Sequence, residues 1–349
     1  MINLYNYSLE KLEELMLSLQ EKKYRATQLF KWIYEKRVTS FDEMSDVSKS
    51  FREVLNRDFC LVKPKIHKEQ RSKDGTIKLL LELEDGDKVE TVLMRYNYGN
   101  AVCVSSEVGC NMGCAFCASG LLKKKRELLV SEMIGQVLVI DDILKAEGNN
   151  ERVTHVVVMG TGEPFDNYEN VMDFIRILNH PHGLAIGARH ITVSTCGIIP
   201  KIQEFMNLDL QVNLAISLHA PTNALRSKIM PINNAYPLDD LVNTLKEYIA
   251  KTNRRVTIEY VMLNNVNDSL EDARNLANLI KGMNVYVNLI PYNETSHLDF
   301  KRSDKINSFY DTLKKYKINV TVRREFGSNI DAACGQLRAK EVEKWNHFI

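Results

Sequence analysis

The chain has 349 residues, 44% of them hydrophobic and 26% charged, which is enough apolar material for a packed core and excludes a disordered chain. Its 46 Lys and Arg nearly balance 45 Asp and Glu, so bulk charge does not announce a nucleic-acid binder, and any basic surface must be local. No apolar run approaches the roughly 20 residues of a membrane span. The N-terminal MINLYNYSLEKLEELMLSL carries Asn, Glu and Lys within its apolar stretch, so no signal peptide is expected and the protein is taken as cytoplasmic. In that reducing compartment its seven cysteines point to metal binding or catalysis rather than to structural disulfides.

Residues 1–60 are expected to be helical, because LEKLEELMLSL and RATQLFKWIYEKR place their apolar residues at helical spacing. A change of texture follows. TIKLLLELEDGDKVETVLMRY alternates with the period of strands around a turn at Glu84-Asp85-Gly86-Asp87, which predicts a β-hairpin ending near residue 98. From about residue 100, the short apolar runs AVCVSS, HVVVMG, HITVST, VNLAISLHA, VTIEYVML and VNLIPY are each followed by an amphipathic helical pattern, and INVTVR closes the series. Six such units imply parallel β-α-β connections. The expected fold is therefore α/β, a partial (β/α)6 barrel over 99–330 in preference to a doubly wound sheet. A small helical domain over 1–60, a β extension over 61–98 and a C-terminal segment over 331–349 complete the chain. Polar or glycine-bearing clusters end the strands, at Gly160-Thr161-Gly162-Glu163-Pro164, Ser194-Thr195, Ser217-Leu218-His219 and Tyr292-Asn293. In such barrels the active site lies at the carboxyl ends of the strands.

The loop after the first of these strands holds Cys110, Cys114 and Cys117 in a C-x3-C-x2-C spacing, with Cys103 seven residues upstream. Three thiolates on one short loop suit a soft metal centre, and Gly109 and Gly113 let the backbone bend around it. Zinc is one candidate, with His219 or another cysteine as fourth ligand. An iron–sulfur cluster held by three thiolates is the other, and it leaves one iron open to a small molecule.

The cysteine spacing, with Phe116 just before the last cysteine, resembles the radical S-adenosylmethionine (SAM) superfamily. Gly162-Glu163-Pro164 resembles that superfamily's GGE-type turn, whose backbone holds the amino group of SAM. CVSSEVGCNMGCAFCASG, MGTGEPFDN, ITVSTCGIIP, VNLAISLHAP, MPIN, NLIPYN and FGSNIDAACGQL together resemble the dual-specificity RNA adenine methyltransferases. That similarity is dense from 90 to 337 and thin at the N-terminus. It implies a barrel of the radical SAM type and a [4Fe-4S] cluster on Cys110, Cys114 and Cys117. It also implies SAM at the open iron, framed by Gly162, Glu163, Ser194, Ser217, Leu218, His219 and Asn293.

The reaction so implied is methylation of carbon 2 of one adenosine in the peptidyl-transferase centre of 23S rRNA, and of the tRNA adenosine 3′ of the anticodon. Carbon 2 lies between two ring nitrogens and has no lone pair, so the reaction calls for radical chemistry that a cofactor supplies. By the resemblance Cys334 carries the methyl group on its sulfur, and a radical split from a second SAM takes a hydrogen from it. The resulting methylene bonds to carbon 2. Cys103 then forms a transient disulfide with Cys334 as the product leaves, and Glu90 or Cys103 takes the ring proton. The implied partners are 23S rRNA, tRNA and an electron donor such as flavodoxin; no membrane is involved and a monomer is the default.

Other interpretations compete with these. The sister group that methylates carbon 8 of the same rRNA adenine, conferring antibiotic resistance, shares the cysteines; Pro164 matches the carbon-2 group, where the carbon-8 group tends to have Ala. A zinc-stabilised, non-catalytic RNA-binding protein is the alternative from another class. Taken alone, Cys103 is equally a small buried residue, Cys334 a packed one, and Glu90 a solvated charge on a hairpin edge. The serines and Asn293 read as turn or cap residues, and His219 as a satisfied buried histidine. Cys60 and Cys196 are taken as buried structural thiols. Lys123-Lys124-Lys125-Arg126, and Arg25, Lys31 and Arg37 in the helical domain, are candidate RNA-phosphate contacts.

Overall fold

The computed structural model describes residues 1–121, 123–148, 151–295, 298–327 and 330. The N-terminal part folds as three helices, α1 (Leu9–Ser18), α2 (Tyr24–Tyr34) and α3 (Lys49–Asp58), closed by two short parallel strands, β1 (Ile2–Asn3) and β2 (Phe59–Cys60). Ser8 and Ser48 start α1 and α3 by accepting the backbone N–H groups of Lys11 and Phe51. The apolar stripes of these helices, among them Leu12, Met16, Leu29, Phe30 and Leu55, are buried. Each such side chain contributes roughly 1.5–3 kcal/mol relative to exposure.

Strands β3 (Lys65–Arg71), β4 (Ile77–Glu82), β5 (Lys88–Tyr96) and β6 (Gly99–Val104) follow and pair antiparallel. A two-stranded hairpin, β7 (Glu107–Val108) with β8 (Arg126–Glu127), then brackets the cysteine loop. Next come β9 (Val153–Val158), β10 (Ile191–Thr195), β11 (Asn213–Ser217), β12 (Val256–Met262), β13 (Val285–Pro291) and β14 (Val320–Val322). Between β6 and β14 run helices α4 (Val130–Ala146), α5 (Tyr168–Asn179), α6 (Ile199–Phe205), α7 (Asn223–Ile229), α8 (Leu238–Thr252), α9 (Leu270–Leu279) and α10 (Ile306–Lys315). All but the short hairpins join one sheet in the order β14-β13-β12-β11-β10-β9-β6-β5-β4-β3. From β6 to β14 every neighbouring pair is parallel, so six β-α units and a closing strand form the expected partial barrel. Among the described residues the sheet ends at β14 and β3 without closing on itself.

The β extension is not a separate layer. β5 lies between β4 and β6, so the sheet runs unbroken across residues 98 and 99. Its outermost strand, KIHKEQR, is mostly exposed and charged, as an unpaired sheet edge requires. Helix α4 is buried on nearly every side because the N-terminal helices cover its outer face. Asn6 accepts the N–H of Ser131 at 2.8 Å, Arg37 pairs with Asp141 at 2.5 Å, and Lys63 pairs with Asp142. Arg37 is therefore a docking residue of the helical domain rather than a free cation facing RNA. Among the described residues no helix is long and apolar enough to cross a membrane.

Candidate active site

Period-2 alternation sends one face of each parallel strand to the helices and the other to the inside of the sheet. At the carboxyl ends the inner residues Ser194, Ser217, Glu259, Val261 and Ile290, with Cys103 and Met159, line an open cavity of about 340 Å³. Cys114, Phe116, Cys117 and Ser119 of the cysteine loop line the same cavity, as do Gly162, Glu163, Pro164, His219 and Asn293. Cys103, the cluster cysteines and the polar strand ends are thus brought together. Cys334 and the rest of 331–349 lie outside the described residues, but the cavity wall includes Arg323, Arg324 and Phe326, which lead towards them in the chain.

The cysteine loop is held at both ends. Gly109 and Gly113 take φ of +88° and +66°, and the N–H of Ala115 bonds Ile229 O at 2.9 Å. Burial pushes the Cys110 thiol up to about 12 and Cys114 well above the usual range. Neighbouring cysteine sulfurs add to both rises, while the N–H of Met112 pulls Cys110 the other way. The phenyl ring of Phe116 stands edge-on to His219 with centroids 4.9 Å apart. His219 has φ +58°, and its Nδ1 accepts the N–H of Val261 at 3.0 Å. Burial, helped by Arg226, holds its imidazole down at about 3, so it is neutral.

The Gly162-Glu163 turn is built on Glu107, which the sequence did not single out. Glu107 Oε2 accepts the N–H of Glu163 at 2.9 Å, and Oε1 pairs with Lys124 at 2.7 Å. Burial pushes Glu107 up to about 7, against the pull of Lys124. Glu163 spends its carboxylate on the turn as well, accepting the N–H of Phe165 at 3.0 Å and of Cys196 at 2.8 Å. Burial raises Glu163 and these donors oppose it. Ser194 and Ser217 stand 3.4 Å apart through their hydroxyls.

Three expectations change. Glu90 is not a solvated edge charge: β5 is an interior strand, Glu90 is 4% exposed, and its carboxylate pairs with the fully buried Lys78 at 2.9 Å. Cys60 is partly exposed, whereas Cys196 is buried and lines the cavity. The basic run is consumed by ion pairs: Lys124 with Glu107 and Asp166, Lys125 with Asp87 at 2.6 Å, Arg126 with Asp85 at 2.7 Å and Glu132 at 2.8 Å. The acidic turn of the preceding hairpin supplies two of those partners. Leu218 stays out of the cavity, with its side chain in the core, its N–H on Glu259 O and its carbonyl accepting from Arg226.

Two further residues emerge only from the fold. Arg226 is fully buried behind the cavity, where its guanidinium donates to Cys196 O at 2.5 Å, Asn233 Oδ1 at 3.0 Å and Leu218 O at 3.3 Å. Glu259, buried on the cavity floor, accepts from Asn288 at 2.9 Å. Period-2 alternation in VTIEYVML could have found Glu259; nothing local marks Arg226.

Three observations bear on whether these residues fit an iron–sulfur cluster and SAM. The loop offers three thiols and no carboxylate or imidazole of its own. Among the described residues no three His, Cys, Asp or Glu stand close enough to hold a single ion, a closeness that a cluster, whose thiolates sit on different irons, does not require. Ser119 Oγ is buried at the cavity wall with no partner among the described residues, ready for a bound group. The residues present fit.

A parallel barrel with three cysteines at its carboxyl face beside a glycine-glutamate turn defines an enzyme of the radical SAM class, and the radical SAM superfamily model matches residues 104–278. The model of the ribosomal RNA large subunit methyltransferase N-terminal domain matches residues 2–61. Among similar proteins, a probable dual-specificity RNA methyltransferase RlmN of Spiroplasma citri is 54% identical over 340 residues, 97% of this chain and 98% of that protein. One of Enterococcus faecalis is 54% identical over 347 residues, 98% and 97% of the two chains. The crystal structure of a radical SAM methyltransferase from Sphaerobacter thermophilus superposes with a TM-score of 0.90 at 41% identity, over 96% of this chain and 99% of that one. The chain belongs to the RlmN family of dual-specificity RNA methyltransferases.

Proposed function

We propose that this enzyme methylates carbon 2 of an adenosine in the peptidyl-transferase centre of 23S rRNA, and of the tRNA adenosine 3′ of the anticodon. The observation that carries it is the convergence on one cavity of the cysteine loop, the SAM-type turn and Cys103, in a chain similar over nearly its whole length to dual-specificity RNA methyltransferases. Cys110, Cys114 and Cys117 would hold a [4Fe-4S] cluster with one iron left for SAM. The cluster with SAM bound supplies hydrogen-atom abstraction from an S-methyl group.

The chain's own residues do the rest. Gly162 lets the turn approach SAM; because the Glu163 carboxylate is spent on Phe165 and Cys196, the turn's backbone is what remains to hold the SAM amino group. Ser194, Ser217 and Asn293 offer hydroxyl and amide groups to its ribose and carboxylate, and neutral His219 packs behind Phe116 at the cluster loop. Leu218 contributes by fixing the backbone between Ser217 and His219. Cys334 accepts the methyl group on sulfur and carries it to the base. Glu90 takes the ring proton. Cys103 then attacks the Cys334 sulfur: the S–S bond forms, the carbon–sulfur bond breaks, and the electron pair left on carbon takes a proton to complete the methyl group. A reductant such as flavodoxin and a cellular thiol would reset the enzyme, which acts in the cytoplasm as a monomer.

The test is anaerobic reaction with 23S rRNA and tRNA, followed by mass-spectrometric mapping of the methylated carbon. Methyl on carbon 2 in both RNAs is expected. Methyl on carbon 8 would assign the chain to the resistance chemistry instead.

A further inference from the structure

Lys78 is fully buried, and so is the Glu90 carboxylate it meets at 2.9 Å. A buried lysine is rare unless paired, and the pairing itself is a poor way to gain stability. Two apolar side chains of similar size in place of such a pair commonly leave a protein equally stable or more so. The location of this pair matters more than its energy. Lys78 is the register partner of Val92, and Val92 of Cys103, so Lys78, Val92 and Cys103 form one row on the inner face. Val92 and Cys103 line the cavity. Glu90 precedes Val92 by two residues and so shares that face, with its backbone carbonyl fixed by Ser105 Oγ at 2.7 Å.

We propose that Lys78 is a positioning residue for the reaction: its ammonium keeps the Glu90 carboxylate ionised and aimed along the row that leads to Cys103. The inference rests on Glu90 being the acceptor of the ring proton. In the step it serves, the carbon-bound proton moves to a Glu90 oxygen and the electron pair of that C–H bond stays on the adenine. A buried carboxylate without its cation takes up a proton from solvent instead and is then no base. Methyl transfer from SAM to the Cys334 sulfur does not use Glu90 and is left intact. A lysine that only supported the fold would affect both steps alike.

The experiment uses full-length reconstituted enzyme with SAM and a 23S rRNA fragment, in wild type, K78Q, K78M, K78R and E90Q. Three quantities are read: methyl on Cys334, methyl on RNA, and RNA covalently attached to protein on a denaturing gel. K78Q keeps a hydrogen-bond donor for Glu90 without the charge, so it holds the fold where K78M fails. The expected result for K78Q is wild-type Cys334 methylation, RNA methylation down about 100-fold, and accumulating covalent adduct, as in E90Q. K78R is expected to recover most of the activity. A folded K78Q that methylates RNA at the wild-type rate, or loses both methylations in parallel, overturns the role of Lys78. Wild-type RNA methylation by E90Q overturns the assignment of Glu90 instead.

Discussion

Replacing Gly162 by alanine probes how the SAM-type turn is built. At φ +111° the residue occupies backbone space that L side chains rarely enter, a strain of about 1–3 kcal/mol. A Cβ there would stand 2.7 Å from Glu107 Cβ and Cγ and from Ser106 Oγ. Neither neighbour can give way easily. Glu107 is held by Lys124 and by the Glu163 N–H, and the N–H groups of Ser106 and Glu107 bond Thr161 O at 2.9 and 3.2 Å. Overpacking therefore adds about 1–3 kcal/mol, and the two together cost roughly 2–6 kcal/mol. Urea unfolding of G162A should show a lower midpoint at unchanged slope. The double variant G162A/E107A, which removes most of the clash but not the backbone strain, should recover part of the loss. If G162A unfolds within about 0.5 kcal/mol of wild type, the turn is not built as described.

Other outcomes follow from the same site. His219 stays neutral in the fold at about 3 against 6.5 unfolded, so its contribution is complete above pH 6.5 and is lost as pH falls towards 3. Between pH 7 and 5 the wild type should lose about 2 kcal/mol more stability than H219Q, measured by urea unfolding; equal losses would refute the neutral buried imidazole. Arg226→Met strands three acceptors but spares a buried charge, and because every guanidinium bond is to an oxygen already desolvated, a net loss of about 2–4 kcal/mol is expected. A more stable R226M would mean that desolvation outweighs the bonds. Cys334→Ala should abolish RNA methylation and leave SAM cleavage intact; undiminished methylation would exclude the carrier role.

The barrel was legible because each parallel strand is a short apolar run between amphipathic helices, and the polar strand ends marked its active face. β3 escaped because a charged edge strand carries no apolar alternation. Glu90 was misplaced for a related reason. VETV reads as half-exposed, and its burial comes from the order β4-β5-β6, a long-range fact. The basic run looked free because its acidic partners lie 38 to 42 residues away in sequence, at Asp87, Asp85 and Asp166. Glu107 and Arg226 act by holding other groups' backbone, which leaves no motif.

Metal analysis of anaerobically reconstituted protein tests the central claim most directly. About four irons per chain are expected, with the signature of a [4Fe-4S] cluster, lost in C110S, C114S and C117S and kept in C103S and C334S. Zinc in place of iron, or a cluster that survives loss of any of the three loop cysteines, would contradict it.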